Sequence, residues 1–307
     1  MRSRTMDGGT FRPIHRGKLS QPFLMGYDTS CDRGGILVQA EYRMWDSFKG
    51  YPRRTAQADM KASQFERIRD DGILVVDGFI SGEIAEQFAL AIERLAELEL
   101  GKGGARPVSG NGYYVRNLIE KDRVFHPLLR SKAIGIARML LGPRVSMRVD
   151  SRIAFAGIGG AGVPWHIHFP GVSEPSPPWF SPPHSLHCLI YLDDVGPDEG
   201  ALRVIPCSYT KPFLRPEEID EGSAVSILPR RGDCVFMHGN TWHRTDASSE
   251  HAKQRTLMFL GFTAAWVQGD SNAGGQPRSG VVPYVDPSTS WEGDPEELDE
   301  LLARFRW

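Results

Sequence analysis

The sequence has neither a long hydrophobic segment nor a long run of charge of one sign. No stretch approaches the roughly 18 apolar residues of a membrane span, and Met1 to Gly34 lacks the apolar core of a secretory signal. The 36 Lys and Arg residues nearly balance the 38 Asp and Glu residues, which gives no electrostatic footprint for nucleic acid or an anionic membrane surface. We therefore expect a soluble, cytoplasmic protein with a small-molecule substrate. Oligomeric state is not predicted.

Cysteine is scarce and dispersed. Cys31, Cys188, Cys207 and Cys234 form no CxxC pair, so a zinc knuckle or a disulfide framework is not expected and the thiols should be reduced. The 33 glycines and 22 prolines are typical of a chain with many turns.

The first 55 residues mix charge, glycine and aromatics without a period, and we predict an irregular N-terminal arm followed by a single domain over residues 56–307. Apolar spacing and capping residues predict helices that flank a β core. These are a short helix from Asp59 to Gly72, a helix capped by Ser81, a helix from about Pro127 to Leu141, and a C-terminal helix from Asp294 to about Phe305.

From Val145 the apolar period changes from helical to two, which predicts strands. Short apolar runs separated by Gly, Pro and Asp clusters continue to Phe262, an arrangement typical of a sandwich or a closed jelly roll. The predicted strands of this region are 145–155, 165–169, 186–192, 202–205, 224–228, 234–238 and 255–262, and the apolar run 73–76 predicts a further strand before them.

The proline-rich segment Glu174 to Pro183 can form neither a helix nor a central strand, because its prolines lack amide donors. Its aromatic residues Trp179 and Phe180 are candidates for the wall of a pocket mouth, together with Phe169. A rigid surface linker that packs Trp179 on the barrel is an equally good interpretation.

Two histidines in Trp165-His166-Ile167-His168 point to one face if this segment is a strand. Burying both without partners is costly, and a divalent ion would remove that cost. The alternative is a hydrogen-bonded pair or a solvated edge, so a third ligand is required. His243, after a short strand and a turn, is the first candidate; His184, His187 and His238 are weaker ones.

Arg255 opens an apolar strand and shares its predicted inward face with Leu257 and Phe259. A guanidinium inside a barrel needs an anion, and a carboxylate matches its fork. An ordinary ion pair with an aspartate of a neighbouring strand is the alternative.

From about Phe65 to Ala264 the chain resembles the phytanoyl-CoA dioxygenase family of iron(II)- and 2-oxoglutarate-dependent oxygenases. The resemblance lies in the segment from Asp71 to Ser81, in Ile190-Tyr191-Leu192-Asp193-Asp194, and in the segment from Glu199 to Ser208. It implies a mainly β, cupin-like double-stranded β-helix (jelly roll) with iron at one end.

Carried over to this sequence, the resemblance makes His166 the first iron ligand, His243 the distal ligand, and Arg255 the residue that binds the far carboxylate of 2-oxoglutarate. His168 is a departure, since the family has aspartate there. A neutral imidazole leaves the metal with one more unit of positive charge, while His166, His168 and His243 still leave open coordination positions. Its bulk would fill the gap that halogenating relatives use for chloride, so halogenation is not predicted.

These observations predict an enzyme that uses Fe(II), 2-oxoglutarate and dioxygen to hydroxylate, or otherwise oxidise, a C–H bond of a small to medium organic molecule in specialised or catabolic metabolism. One alternative is a three-histidine iron dioxygenase that does not use 2-oxoglutarate. Another is a non-catalytic metal-binding relative with a redundant or damaged site.

Overall fold

The computed structural model describes residues 37–43, 53–101, 111–142, 145–168, 184–211 and 214–264, with side chains from Ala58 onward. None of the helices in these ranges is long and apolar enough to cross a membrane. Phe169, Trp179, Phe180, Cys31 and the predicted C-terminal helix lie outside the described residues.

Two antiparallel sheets form the core of the molecule. The larger sheet has the strand order β3-β10-β7-β12-β5-β4 and the smaller has the order β6-β11-β8-β9. The expected mainly β, jelly-roll fold is confirmed. The strands are β3 (Ile73–Val76), β4 (Gly112–Val115), β5 (Val145–Ala154), β6 (Val163–His166), β7 (Ser185–Tyr191), β8 (Leu202–Val204), β9 (Val225–Ile227), β10 (Cys234–His238), β11 (His243–Thr245) and β12 (Arg255–Ala264).

The boundaries of the first two helices lie at the capping residues that the sequence predicted. Helix α1 (Ala62–Asp71) stops at Gly72, whose φ of 75° is left-handed, and α2 (Gly82–Leu100) begins at Ser81, whose hydroxyl accepts the Ile84 amide. Helix α3 spans Leu118–Lys121.

The single helix predicted from Pro127 to Leu141 is wrong. A 3-10 helix covers Arg123–Arg130 and α4 covers Lys132–Leu141. Ser131 separates them because its backbone is extended and its hydroxyl accepts the Ala133 amide at 3.2 Å, which starts a new helix.

The sequence predicted an irregular N-terminal arm, but part of this region is regular. Strand β1 (Leu37–Arg43) pairs antiparallel with β2 (Arg53–Asp59), and β2 runs beside α4. Backbone hydrogen bonds join two such strands, so their sequences need not alternate between apolar and polar residues. The search for an apolar period therefore missed them. The division into an arm and one domain stays a prediction.

The two faces of the larger sheet have different environments. Along β12, Met258, Leu260 and Phe262 are fully buried in the cluster that the helices cover, whereas Leu257 and Phe259 face the smaller sheet and are partly exposed. A central strand whose inward residues remain partly exposed indicates a hollow interior between the sheets, and the candidate site lies there.

Candidate metal centre

Three histidines converge on the inner face of the smaller sheet. His166 on β6 pairs directly with His243 on β11, so their side chains share a face, and His168 follows two residues after His166. The amide of His168 donates to Gly239 O at 2.9 Å, which continues the extended chain past β6. One nitrogen from each of the three rings lies within 4.8 Å of the others. The predicted trio is therefore brought together.

Hydrogen bonds fix the tautomers of two of these rings. Nδ1 of His166 lies 2.8 Å from Pro164 O, and Nδ1 of His243 lies 2.8 Å from Thr241 O. A carbonyl oxygen only accepts, so each Nδ1 carries the proton and each Nε2 offers a lone pair. Metal-binding histidines are commonly oriented in this way.

The spacing of the nitrogens suits a single ion. His168 Nε2 and His243 Nε2 are 3.1 Å apart. Two nitrogens bound to one ion at about 2.1 Å and at right angles would lie about 3.0 Å apart. The separation of these two nitrogens therefore matches a pair of ligands on one ion.

The environment lowers the pKa of His168 and of His243 and so favours the neutral imidazole, which is the form that ligates metals. Burial, followed by the neighbouring histidines, lowers the pKa of His243 well below its usual value. His168 is an exposed residue as a whole, but its ring lies within 5.1 Å of those of His166, His187 and His243, centroid to centroid. Desolvation of that ring is the main cause of its strongly lowered pKa.

His187 approaches the trio from the larger sheet. Its ring lies 4.1 Å from that of His168, and burial lowers its pKa to about 3. The sequence ranked it as a weak third ligand, and the structure places it against the trio as a neighbour rather than within it.

The other weak candidates, His184 and His238, do not join the group among the described residues. His238 Nδ1 accepts the Asn240 amide at 3.0 Å, its ring lies 4.7 Å from that of Tyr209, and burial lowers its pKa to about 4.

Arg255 lies inside the same roll and shares its inward face with Leu257 and Phe259, as expected. It is buried, and Nη1 donates to Gly200 O at 2.5 Å. Among the described residues no carboxylate is within ion-pair distance of it. The nearby strand-end Asp193 instead accepts from Arg231 at 3.2 Å and from the Thr256 amide at 2.8 Å.

A second arginine, which the sequence did not single out, lies near Arg255. Arg152 on β5 is diagonal to Arg255 on the same face, and its Nη2 donates to Asn111 Oδ1 at 3.0 Å. Burial lowers the pKa of Arg255 first, and the positive charge of Arg152 lowers it further. This part of the interior therefore favours an anion.

The fold and the site together define the class of cupin-like, non-haem oxygenases. The sequence pattern of the family described as Phytanoyl-CoA dioxygenase (PhyH) matches residues 68–255, more than half of the chain, and the chain belongs to this family. The predicted family, enzyme class and cofactors, Fe(II) and 2-oxoglutarate, are thereby confirmed. The individual roles of the site residues stay predictions.

Solved structures share the fold at low sequence identity. The epimerase SnoN, in complex with Fe3+, alpha ketoglutarate and nogalamycin RO, is 19% identical with a TM-score of 0.54, over 73% of this chain and 94% of that one. HygX from Streptomyces hygroscopicus, with nickel and 2-oxoglutarate bound, is 14% identical with a TM-score of 0.54, over 74% and 97%. EvdO2 from Micromonospora carbonacea var. aurantiaca is 15% identical with a TM-score of 0.55, over 72% and 95%. A comparison with curated protein sequences gives no significant match.

Proposed function

We propose that the chain is an iron(II)- and 2-oxoglutarate-dependent oxygenase that oxidises a C–H bond of a small to medium organic molecule, with hydroxylation as the default outcome. The observation that carries this proposal is the convergence of three histidine nitrogens within 4.8 Å. We place the reaction in specialised or catabolic metabolism. SnoN, a structural neighbour, belongs to nogalamycin biosynthesis, which is in line with the first of these.

In this proposal His166, His168 and His243 hold the iron. The carbonyls of Pro164 and Thr241 keep the Nε2 lone pairs of His166 and His243 directed at it. When bound, iron with 2-oxoglutarate and dioxygen supplies the oxidation of a C–H bond, with 2-oxoglutarate converted into succinate and carbon dioxide.

Arg255 binds the far carboxylate of 2-oxoglutarate. Gly200 O already holds one terminal nitrogen of its guanidinium in place, so the group is oriented before the anion arrives, and less rotamer entropy is lost on binding. Phe169, Trp179 and Phe180 are proposed to exclude water from the pocket.

His168 is the position at which this site departs from the family pattern. Because imidazole is neutral, the bound metal keeps one more positive charge than with the family's aspartate, which strengthens its attraction for an anionic 2-oxo acid. In this proposal the bulk of the ring would also fill the gap that halogenating relatives use for chloride, so halogenation is not proposed.

The test is succinate formation by purified protein supplied with Fe(II), dioxygen and isotopically labelled 2-oxoglutarate, alongside candidate substrates. His243→Ala should abolish both iron retention and succinate formation. His251→Ala is the matched control, because His251 is an exposed histidine outside the trio. Wild-type protein that retains no iron would contradict the proposal.

A three-histidine dioxygenase that inserts both oxygen atoms into its substrate is a second candidate, favoured by His168. It would consume dioxygen without forming succinate. A non-catalytic metal-binding relative would bind iron and consume no dioxygen, but it would leave the buried Arg255 without a carboxylate to bind.

A further inference from the structure

An open space lies over Gly261 in the middle of the larger sheet. On β12, Gly261 pairs with Arg148 of β5 on one side and with His187 of β7 on the other, so all three positions face the interior. A side-chain carbon built on Gly261 would meet no atom of the residues that the structure describes within 4 Å. Adjacent strands are about 4.8 Å apart. The backbones at Arg148 and His187, which lie on either side of β12, are therefore about 10 Å apart, and their side chains flank the space over Gly261.

Arg148 lies at one side of this space, and among the described residues its guanidinium is paired through Nε alone. Its Nε pairs with Asp150 Oδ2 at 2.9 Å, and Asp150 Oδ1 in turn accepts the Asn117 amide at 2.9 Å. No hydrogen bond or ion pair to either terminal nitrogen is found within the described ranges. The Arg148 side chain remains 59% exposed, whereas that of Asp150 is only 6% exposed.

The other boundaries of the space belong to the candidate metal centre and to the apolar interior. His187 packs on His168 with ring centroids 4.1 Å apart, so a molecule in the space lies next to the trio. The Arg148 charge is close enough to contribute to the lowered pKa of both His168 and His187. Phe259, one inward position further along β12, supplies an apolar wall.

We propose that the space over Gly261 is the substrate subsite, and that the substrate presents an anionic oxygen group, a carboxylate or a phosphate, to the terminal nitrogens of Arg148. Asp150 positions the guanidinium by holding its Nε edge, which leaves the Nη edge for a bidentate contact. Gly261 provides the room, because any larger residue there would project into the subsite.

The charge balance of the site favours such a substrate. Three neutral imidazoles would leave the full charge of a divalent ion uncompensated by protein. Asp150 offsets the charge of Arg148, so the metal would supply the net attraction for an added anion, and the Nη edge of Arg148 would supply the hydrogen-bond donors. The subsite rests on the proposed function in one respect: its occupant is taken to be the molecule that the oxygenase oxidises. The contact between the anion and Arg148 does not require the metal.

The test measures binding of benzoate and phenyl phosphate, with neutral benzamide as the uncharged comparison, to the full chain by calorimetry. Metal-free protein and protein loaded anaerobically with Fe(II) and 2-oxoglutarate are both titrated. One of the two anions should bind to wild type and benzamide should not. Arg148→Gln should weaken that binding about tenfold or more, as expected for loss of a charged hydrogen bond, and Gly261→Leu should weaken it by filling the space.

Arg67→Gln is the matched control. Arg67 is also an exposed, ion-paired arginine, with Nε 3.6 Å from Asp71 Oδ2 and a side chain 67% exposed, and its loss should leave anion binding within about twofold. Arg148→Lys keeps the charge but loses the bidentate fork, so its affinity should lie between those of wild type and Arg148→Gln, and this graded loss guards against a folding defect in Arg148→Gln. The anion that binds identifies the group as a carboxylate or a phosphate.

The outcomes separate this subsite from the proposed function. Anion binding that is absent from wild type, or equal in Arg148→Gln and wild type, overturns the subsite even if iron binds and succinate forms. Arg148-dependent anion binding to a protein that retains no iron supports the subsite while contradicting the oxygenase proposal.

Discussion

Replacing Arg255 by methionine tests whether the buried guanidinium serves a ligand or the fold. In the free protein the change removes one hydrogen bond, to Gly200 O, a loss of about 0.5–1.5 kcal/mol. It also removes a buried cation whose burial lowers its pKa, and the desolvation of such a cation costs several kcal/mol. Methionine is unbranched and fills a similar volume. The stability of the free protein should therefore stay the same or rise.

The effect on 2-oxoglutarate binding should be opposite in sign. Truncating one partner of a buried charged pair costs about 2–5 kcal/mol, which corresponds to a dissociation constant about 30-fold to a few thousand-fold higher. Calorimetric titration of 2-oxoglutarate into the anaerobic Fe(II) protein measures the binding, and thermal unfolding without ligand measures the stability.

Arg231→Met is the control for this experiment, because Arg231 is an arginine that pairs with Asp193 at the surface, with its side chain 44% exposed. It should alter neither quantity by much. A clear loss of stability in Arg255→Met with unchanged 2-oxoglutarate affinity would show that Arg255 is structural, and the assignment of the co-substrate pocket to this end of the roll would be wrong.

Three other changes test the site and its surroundings. His166→Ala should remove iron binding, measured by metal content after dialysis, without unfolding the protein, since His166 is only partly buried. His168→Asp should preserve or increase iron-dependent turnover, because it restores a carboxylate at the metal; an unchanged iron affinity would mean that position 168 only packs. Burial lowers the pKa of His238 to about 4, so its stabilising effect is complete above the unfolded pKa of about 6.5 and is lost as the pH falls from there towards 4. At pH 5 this loss is about 2 kcal/mol, and His238→Gln should make urea unfolding less sensitive to pH between 7 and 5.

Local chemistry made much of the fold predictable from the sequence. The end of α1 at Gly72 and the start of α2 at Ser81 each depend on one residue and its immediate neighbours. The change of the apolar pattern to a period of two residues at Val145 marks the start of the β region. The two neighbouring histidines at 166 and 168 share a face for the same local reason. Their meeting with His243 depends on the pairing of β6 with β11. His243 was the first candidate because it follows a short strand and a turn, and the family resemblance gave it the role of distal ligand, but no local pattern gives the pairing itself.

What escaped prediction depended on which side of a strand faces the core. In β5, Val145, Met147 and Val149 alternate with Ser146, Arg148, Asp150 and Arg152, and the usual expectation for such a strand is a polar face in water. Here the apolar face packs against the helices, and the polar face lines the interior of the roll. Arg152 and Arg148 were therefore overlooked as site residues.

The sequence contains a signal that resolves this ambiguity. Amphipathic helices such as α2, with Phe88 and Leu95 on its buried side, need an apolar surface to cover, and in a two-sheet roll that surface is the outer face of a sheet. Once the helices take the apolar face of β5, its charged face must point between the sheets, where bare charges are tolerated only beside water or a ligand. In a jelly roll flanked by amphipathic helices, a strand whose charged residues alternate with apolar ones therefore indicates a polar cavity between the sheets. In this chain the same argument places Arg148 and Arg152 in that cavity.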